Sequence, residues 1–202
     1  MYTALLIDGG HLRACFKKAR MPYTAASIGE FAKKCFADDE TVYRVFYYDA
    51  PHYEGEPSLP ISGTKKEFKN TDTLLSDVSK IDNFAVRKGR LKWAGWSLKP
   101  NILRQITDGT FTPPIEDKHF KPNFAQKGVD MVLGLDVAAI AETGRVDQFM
   151  LVSADTDMAP ALKYGRIHGM RAVLIKPEYE KSFDLHAVLQ QHADMVRPVQ
   201  IS

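Results

Sequence analysis

Residues 150–162 read MLVSADTDMAPAL, and their reading decides the fold. The run Phe149–Ser153 is short and apolar, the pattern of a strand covered on both faces of a parallel sheet. Asp155 and Asp157 follow at once, separated by one threonine. Met158–His168 then has helical spacing and carries Pro160, which is tolerated in a helix's first turn. The order is strand, acidic turn, helix. A carboxylate pair at such a strand end either caps the helix or holds a cation.

The same alternation extends in both directions. Tyr2–Asp8 (YTALLID) and Thr41–Tyr48 (TVYRVFYY) are expected strands, Asn83–Val86 begins a third, and Arg171–Ile175 follows Phe149–Ser153. Met195–Val199 adds an edge strand. Helices are expected over Ala25–Phe36, Lys65–Ile81, Gly128–Glu142, Met158–His168 and Phe183–His192. Pro51–Gly63, rich in proline and glycine, is a loop. Residues 89–122 hold Trp93, Trp96 and the turn signals Asp108-Gly109 and Pro113-Pro114, and read as an irregular insertion of extended segments with a hairpin. Strands alternating with helices predict an α/β fold, a mostly parallel central sheet with helices on both faces. The expectation is one domain, 1–202, carrying that insertion.

Composition sets the outer bounds. With 45% hydrophobic and 26% charged residues among 202, the chain can bury a full core without staples. A net charge of +2 decides nothing about a polyanionic partner, so the distribution of charge must. Cys15 and Cys35 lie outside any CxxC or Cys/His cluster, which argues against zinc and against a disulfide framework. No stretch approaches the ~20 apolar residues of a membrane span. Met1 leads straight into YTALLID, so a cytoplasmic protein is expected.

Asp8 closes the first strand, ahead of Gly9-Gly10, which permit a tight turn and a close backbone approach. In a right-handed parallel sheet the first strand and Phe149–Ser153 are natural neighbours across a switch in strand order, so Asp8, Asp155 and Asp157 gather at one edge. Crowded carboxylates repel unless a cation neutralises them. Each also has a reading without chemistry. Asp157 could be the N-cap of the following helix, and Asp8 could begin an Asx-turn; Asp155 has no comparable structural role. In KGVDMVLGLDVAAIA (residues 127–141) Val129, Val132, Leu133, Val137 and Ile140 form the apolar stripe, and Asp136 falls within it. Asp130 lies near the helix start, where the dipole alone would favour it. Six residues, about 9 Å along a helix, keep Asp130 and Asp136 from chelating one ion side by side. Asp130 is the better ligand candidate, and Asp136 needs donors of its own. Oxygen ligands without a His/Cys cluster select Mg²⁺ or Mn²⁺, one ion or two.

Together IDGGHL (7–12), KGVD (127–130) and LVSADTDMAPAL (151–162) resemble the NYN domain in its LabA-like branch, within the PIN-like nuclease superfamily. The tail HADMV (192–196) is similar to that family's closing segment. The resemblance covers most of the chain. It implies a three-layer α/β/α fold and metal-dependent RNA cleavage, with Asp8, Asp130, Asp155 and Asp157 as the acidic cluster and with 5′-phosphate and 3′-hydroxyl products. His11, Lys127, Asp136 and Ser153 are expected to support the ligands or contact phosphate. His11 departs from the family pattern, which usually has asparagine there, and Met158 stands where an aromatic residue is common.

The stretch 87–99, RKGRLKWAGWSLK, has no acid. Arg87, Lys88, Arg90 and Lys92 with Trp93 and Trp96 suit RNA, single-stranded or structured, through phosphate neutralisation and stacking. Alternatively the tryptophans pack the insertion onto the core. Two other functions compete. A phosphoryl-transfer enzyme of haloacid-dehalogenase or Toprim type is disfavoured, since Gly10 replaces the second aspartate of the one and Asp8 the glutamate of the other. A non-catalytic RNA- or protein-binding module that retains the acidic site is kept in play by His11. A homodimer is compatible with the insertion covering a partner subunit.

Overall fold

Strand Tyr2–Asp8 shows why the sheet is central: Leu5 and Ile7 enter one hydrophobic core, Ala4 and Leu6 the other, and all four are fully buried. Period-2 alternation with both faces apolar leaves no side for water. The computed structural model describes residues 1–180, 182 and 184–201. In chain order it contains β1 (Tyr2–Asp8), α1 (Gly9–Ala19), α2 (Ala25–Cys35), β2 (Thr41–Asp49), α3 (Leu74–Val78) and β3 (Phe84–Lys88). There follow β4 (Arg90–Leu98), α4 (Pro100–Thr107), β5 (Phe120–Lys127), α5 (Val129–Thr143) and β6 (Gln148–Val152). The chain closes with α6 (Ala159–Ile167), β7 (Arg171–Glu178), α7 (Ala187–Gln191) and β8 (Met195–Gln200). It divides into two compact units, one of residues 1–50, 73–89 and from Gly128 onward, the other of 51–72 and 90–127.

The larger unit is a six-stranded sheet in the order β3-β2-β1-β6-β7-β8, and every pairing is parallel. One face packs Leu12, Cys15 and Phe16 of α1 and Ile28, Phe31 and Ala32 of α2. The other packs Val129, Leu133, Val137 and Ile140 of α5 with Leu162 of α6 and Leu189 of α7. The α/β architecture expected from the alternating strands is therefore present, and β1 and β6 are neighbours as expected.

The smaller unit pairs β4 with β5 antiparallel, with α4 between them. Extended residues 51–72 add two isolated bridges, Gly55 with Phe68 and Ser58 with Lys65. Tyr53, Phe68, Trp93, Trp96 and Phe124 form a ring cluster with centroids 5.1–6.2 Å apart. Trp96 Nε1 also donates to the Ser58 carbonyl at 2.7 Å. The two tryptophans thus build a core for their own unit.

Four expectations are corrected. Residues 9–19 form α1, unanticipated because two glycines open it; Gly and Gly are poor helix formers. The expected helix Lys65–Ile81 is helical only over Leu74–Val78, because Phe68 belongs to the aromatic cluster and Asn70–Thr73 interrupts the run. The insertion contains a helix, α4, opened by Pro100, and its strand β5 runs past residue 122 to Lys127. The last helix is confined to Ala187–Gln191, and its expected start at Phe183 lies outside the described residues.

Candidate active site at the carboxyl edge of the sheet

All six strands of the larger unit run the same way, so their carboxyl ends share one edge. Ile7 pairs with Val152, which places Asp8 and Ser153 side by side as the chain leaves the sheet. Buried Ser153 donates from Oγ to Asp8 Oδ2 at 3.3 Å, and its Oγ accepts the Asp155 amide at 3.1 Å. Asp155 Oδ1 accepts the Asp157 amide at 2.9 Å. Asp8 Oδ1 accepts the His11 amide at 3.1 Å and thereby caps α1. One chain of hydrogen bonds therefore ties Asp8, Ser153 and Asp155 together.

Capping is distributed differently from expectation. Asp157 does not cap α6; Met158 occupies that position and makes no side-chain cap bond. Asp155 is the cap of a 3₁₀ turn, Thr156–Met158, that precedes α6. The 3₁₀ turn starts two residues before the expected helix, so the first aspartate is the one that meets a free amide, that of Asp157. Gly9-Gly10 make no tight turn either. They form the first turn of α1, and the close approach is what requires glycine: a Cβ on Gly9 would stand 2.7 Å from the Tyr47 hydroxyl and 2.8 Å from the Tyr48 carbonyl.

Asp130 lies in the first turn of α5, exposed, after Gly128, whose φ of 85° begins the helix without a side-chain cap. Its pKa is raised, first by partial desolvation and then by the charges of Asp155, Asp8 and Asp157. The pKa of Asp8 is also raised, mainly by burial, with Asp49 adding to it against the lowering of its hydrogen bonds. Among the described residues no ion pair involves Asp8, Asp130, Asp155 or Asp157, and no basic side chain offsets the upward shifts of Asp8 and Asp130. Among the same residues no three His, Cys, Asp or Glu side chains stand in ligating geometry. As a donor set the cluster suits a hard divalent cation: it is all oxygen, and its charge is uncompensated.

Asp136 is held elsewhere. The Tyr48 hydroxyl donates to its Oδ2 at 2.9 Å and Arg87 Nε at 2.8 Å, which supplies the donors that its position on the apolar stripe demands. Arg87, expected on an RNA-binding strip, is thus engaged with a carboxylate and lies over the Phe46 ring. Burial lowers the His11 pKa to about 4, aided by Lys18, so the ring is neutral at physiological pH; Nε2 lies 3.7 Å from Cys15 Sγ. The strip 87–99 itself is divided: Arg87 and Lys88 belong to β3 of the larger unit, and Arg90, Lys92, Trp93 and Trp96 to β4 of the smaller. Lys127 ends β5, exposed.

One acid at this edge escaped the sequence reading. Asp49 closes β2, fully buried, and pairs with Arg13 of α1. Tyr47 donates to Asp49 Oδ2 at 3.1 Å, and the Tyr23 hydroxyl lies 2.8 Å from that of Tyr47 and 3.0 Å from the Gly9 carbonyl. The one sequence hint is that TVYRVFYYD ends in an acid as YTALLID does, with no motif after it to single that acid out.

A parallel sheet with an acidic switch point on β1 and β6 defines the class, and comparison with known families makes it specific. The NYN-domain model matches residues 2–195, and the chain belongs to the NYN-domain family, a member of the PIN-like nuclease superfamily. A crystal structure of a protein of unknown function from Vibrio parahaemolyticus RIMD 2210633 is similar at 15% identity, covering 98% of this chain and 91% of that one, with a TM-score of 0.49. No curated protein gave a significant match. No helix among the described residues is long and apolar enough to cross a membrane.

Proposed function

We propose that the protein is a cytoplasmic RNA endonuclease of the LabA-like branch, dependent on Mg²⁺ or Mn²⁺. The observation that carries this reading is the gathering of four acids without a basic partner, whereas Asp49 and Asp136 in the same unit each pair with an arginine. Asp8, Asp130 and Asp155 would hold the metal, and Asp157 would bind it directly or through water. A divalent cation held by these residues would supply Lewis-acid chemistry, activating a water and polarising the phosphate.

The chain's own groups do the positioning. Ser153 and the His11 amide each engage one oxygen of Asp8, which fixes the plane of the carboxylate. The Asp157 amide does the same for Asp155. Asp130 brings negative charge to the start of α5, where the helix dipole offsets part of its cost. His11, kept neutral, offers a ring nitrogen to phosphate in place of the usual asparagine amide. Hydrolysis in line would leave a 5′-phosphate and a 3′-hydroxyl.

A second reading, a binding module without turnover, is favoured by one observation, the substitution of histidine at position 11. One assay separates the two: single- and double-stranded RNAs incubated with Mn²⁺, Mg²⁺ or EDTA, using wild type and Asp155→Asn. Metal-dependent cutting lost in the variant supports the nuclease. Intact, well-folded wild type that binds RNA and cuts none of it supports the module.

A further inference from the structure

The β4–β5 ribbon has two faces of opposite character. Leu91 and Trp93 on β4 lie with Phe124 on one side, the side of the aromatic cluster. The register Arg90 with Lys127, Lys92 with Ala125 and Ser97 with Lys121 puts Arg90, Lys92, Lys121 and Lys127 on the other side. All four are exposed, and the face they share with Asn123 and Ala125 contains no acid. Three other lysines of this unit are paired with carboxylates, Lys65 with Glu56, Lys69 with Glu67 and Lys118 with Glu116, and Lys66 lies over the Phe68 and Trp96 rings. Among the described residues none of the four ribbon cations has such a partner.

Like charges directly opposite one another destabilise a ladder, and Arg90 faces Lys127. The ribbon nonetheless keeps both, and its aromatic side is already covered by its own rings. We infer that the cationic face of the β4–β5 ribbon is a sequence-independent binding surface for the phosphate backbone of RNA. This rests on the nuclease reading for the identity of the polyanion. It revises the expected strip: Lys121 and Lys127 join Arg90 and Lys92, Arg87 is engaged with Asp136, and Trp93 and Trp96 serve the unit's core in place of base stacking.

The test is RNA binding in EDTA, so that cleavage plays no part, with single-stranded RNAs of several sequences over a salt series. The four-site variant Arg90→Gln/Lys92→Gln/Lys121→Gln/Lys127→Gln is compared with wild type and with Lys65→Gln/Lys69→Gln/Lys118→Gln. Emission from Trp93 and Trp96 reports whether the ribbon is folded. The four-site variant should bind roughly tenfold or more weakly at 0.1 M salt, with a log–log salt slope shallower by about 2–3, since each phosphate contact on a single strand contributes about 0.7. The loss should be equal across sequences, and the three-site control should match wild type. Unchanged affinity and slope in the folded four-site variant would overturn the inference. So would an equal loss in the control, absence of binding by wild type, or binding of poly-glutamate as tight as RNA, which would make an acidic protein the partner. The nuclease reading fails separately: wild type that cuts nothing, yet shows this salt-dependent binding, leaves the ribbon surface standing.

Discussion

The two edges of the parallel sheet treat carboxylates in opposite ways. At the amino-terminal edge Glu40, its side chain 2% exposed, accepts from Arg197 Nη1 and Nη2 at 2.8 and 2.7 Å, from Gln148 Nε2 at 2.7 Å and from the Ala37 amide at 2.9 Å. Its pKa is lowered to about 2, chiefly by the Arg197 hydrogen bonds. At the carboxyl edge Asp8 and Asp130 are shifted upward, and neither has a cationic partner among the described residues. A saturated acid holds structure together, whereas a crowd of unneutralised acids is a standing cost that a bound cation would remove. Under the proposed function, the difference separates acids kept for folding from acids kept for chemistry.

The comparison can be broken experimentally, and the largest effect is on turnover. Asp155→Asn should reduce metal-dependent RNA cleavage by roughly 10²–10³-fold, the scale of losing one electrostatic group at a reacting centre, with little change in melting temperature. Retained cleavage would remove Asp155 from the site. Next comes Glu40→Gln, which leaves Arg197 without its anion at a buried site; a loss of about 3 kcal/mol, roughly 6–12 °C, is expected at pH 7 in thermal melts. The pH sign follows from the lowered pKa. The Glu40 contribution is fully present above the ordinary value of 4.5 and is lost as pH falls toward about 2, so mutant and wild-type curves should converge in acid.

Asp49→Asn should cost less, about 2 kcal/mol, because the Arg13 side chain is 42% exposed and regains water. A smaller effect, of the opposite sign, is expected at the other set of acids. Asp130→Asn should raise the melting temperature of metal-free protein slightly at pH 7 by relieving repulsion. It should also shrink the upward shift that Mn²⁺ gives wild type. An Asp130 variant that melts lower, with an undiminished Mn²⁺ shift, would place that residue outside the cluster.

The central strands β1, β6 and β7 are legible in the sequence because they are apolar on both faces, and nothing in their local context competes with that pattern. The neighbouring positions of β1 and β6, and with them Asp8 and Asp155, followed from handedness and strand order alone. What escaped notice is instructive. Helix α1 depends on Asp8 as its cap and on Gly9 for clearance beneath Tyr47, tertiary reasons that outweigh a poor local propensity. Residues 65–72 have helical spacing, yet Phe68 finds its partners in Trp93 and Phe124, far along the chain. Asp49 was passed over because a single acid after YY carries no motif; only its placement beside Asp8 gives it meaning.

The smaller unit is made of two separate excursions, 51–72 and 90–127, each leaving and rejoining the sheet-bearing unit. Tyr53 and Phe68 come from the first, Trp93, Trp96 and Phe124 from the second. Neither excursion can be trimmed alone without stranding the other's rings in water. In modular terms the pair behaves as one cassette with four splice points, to be excised, swapped or grafted only as a whole.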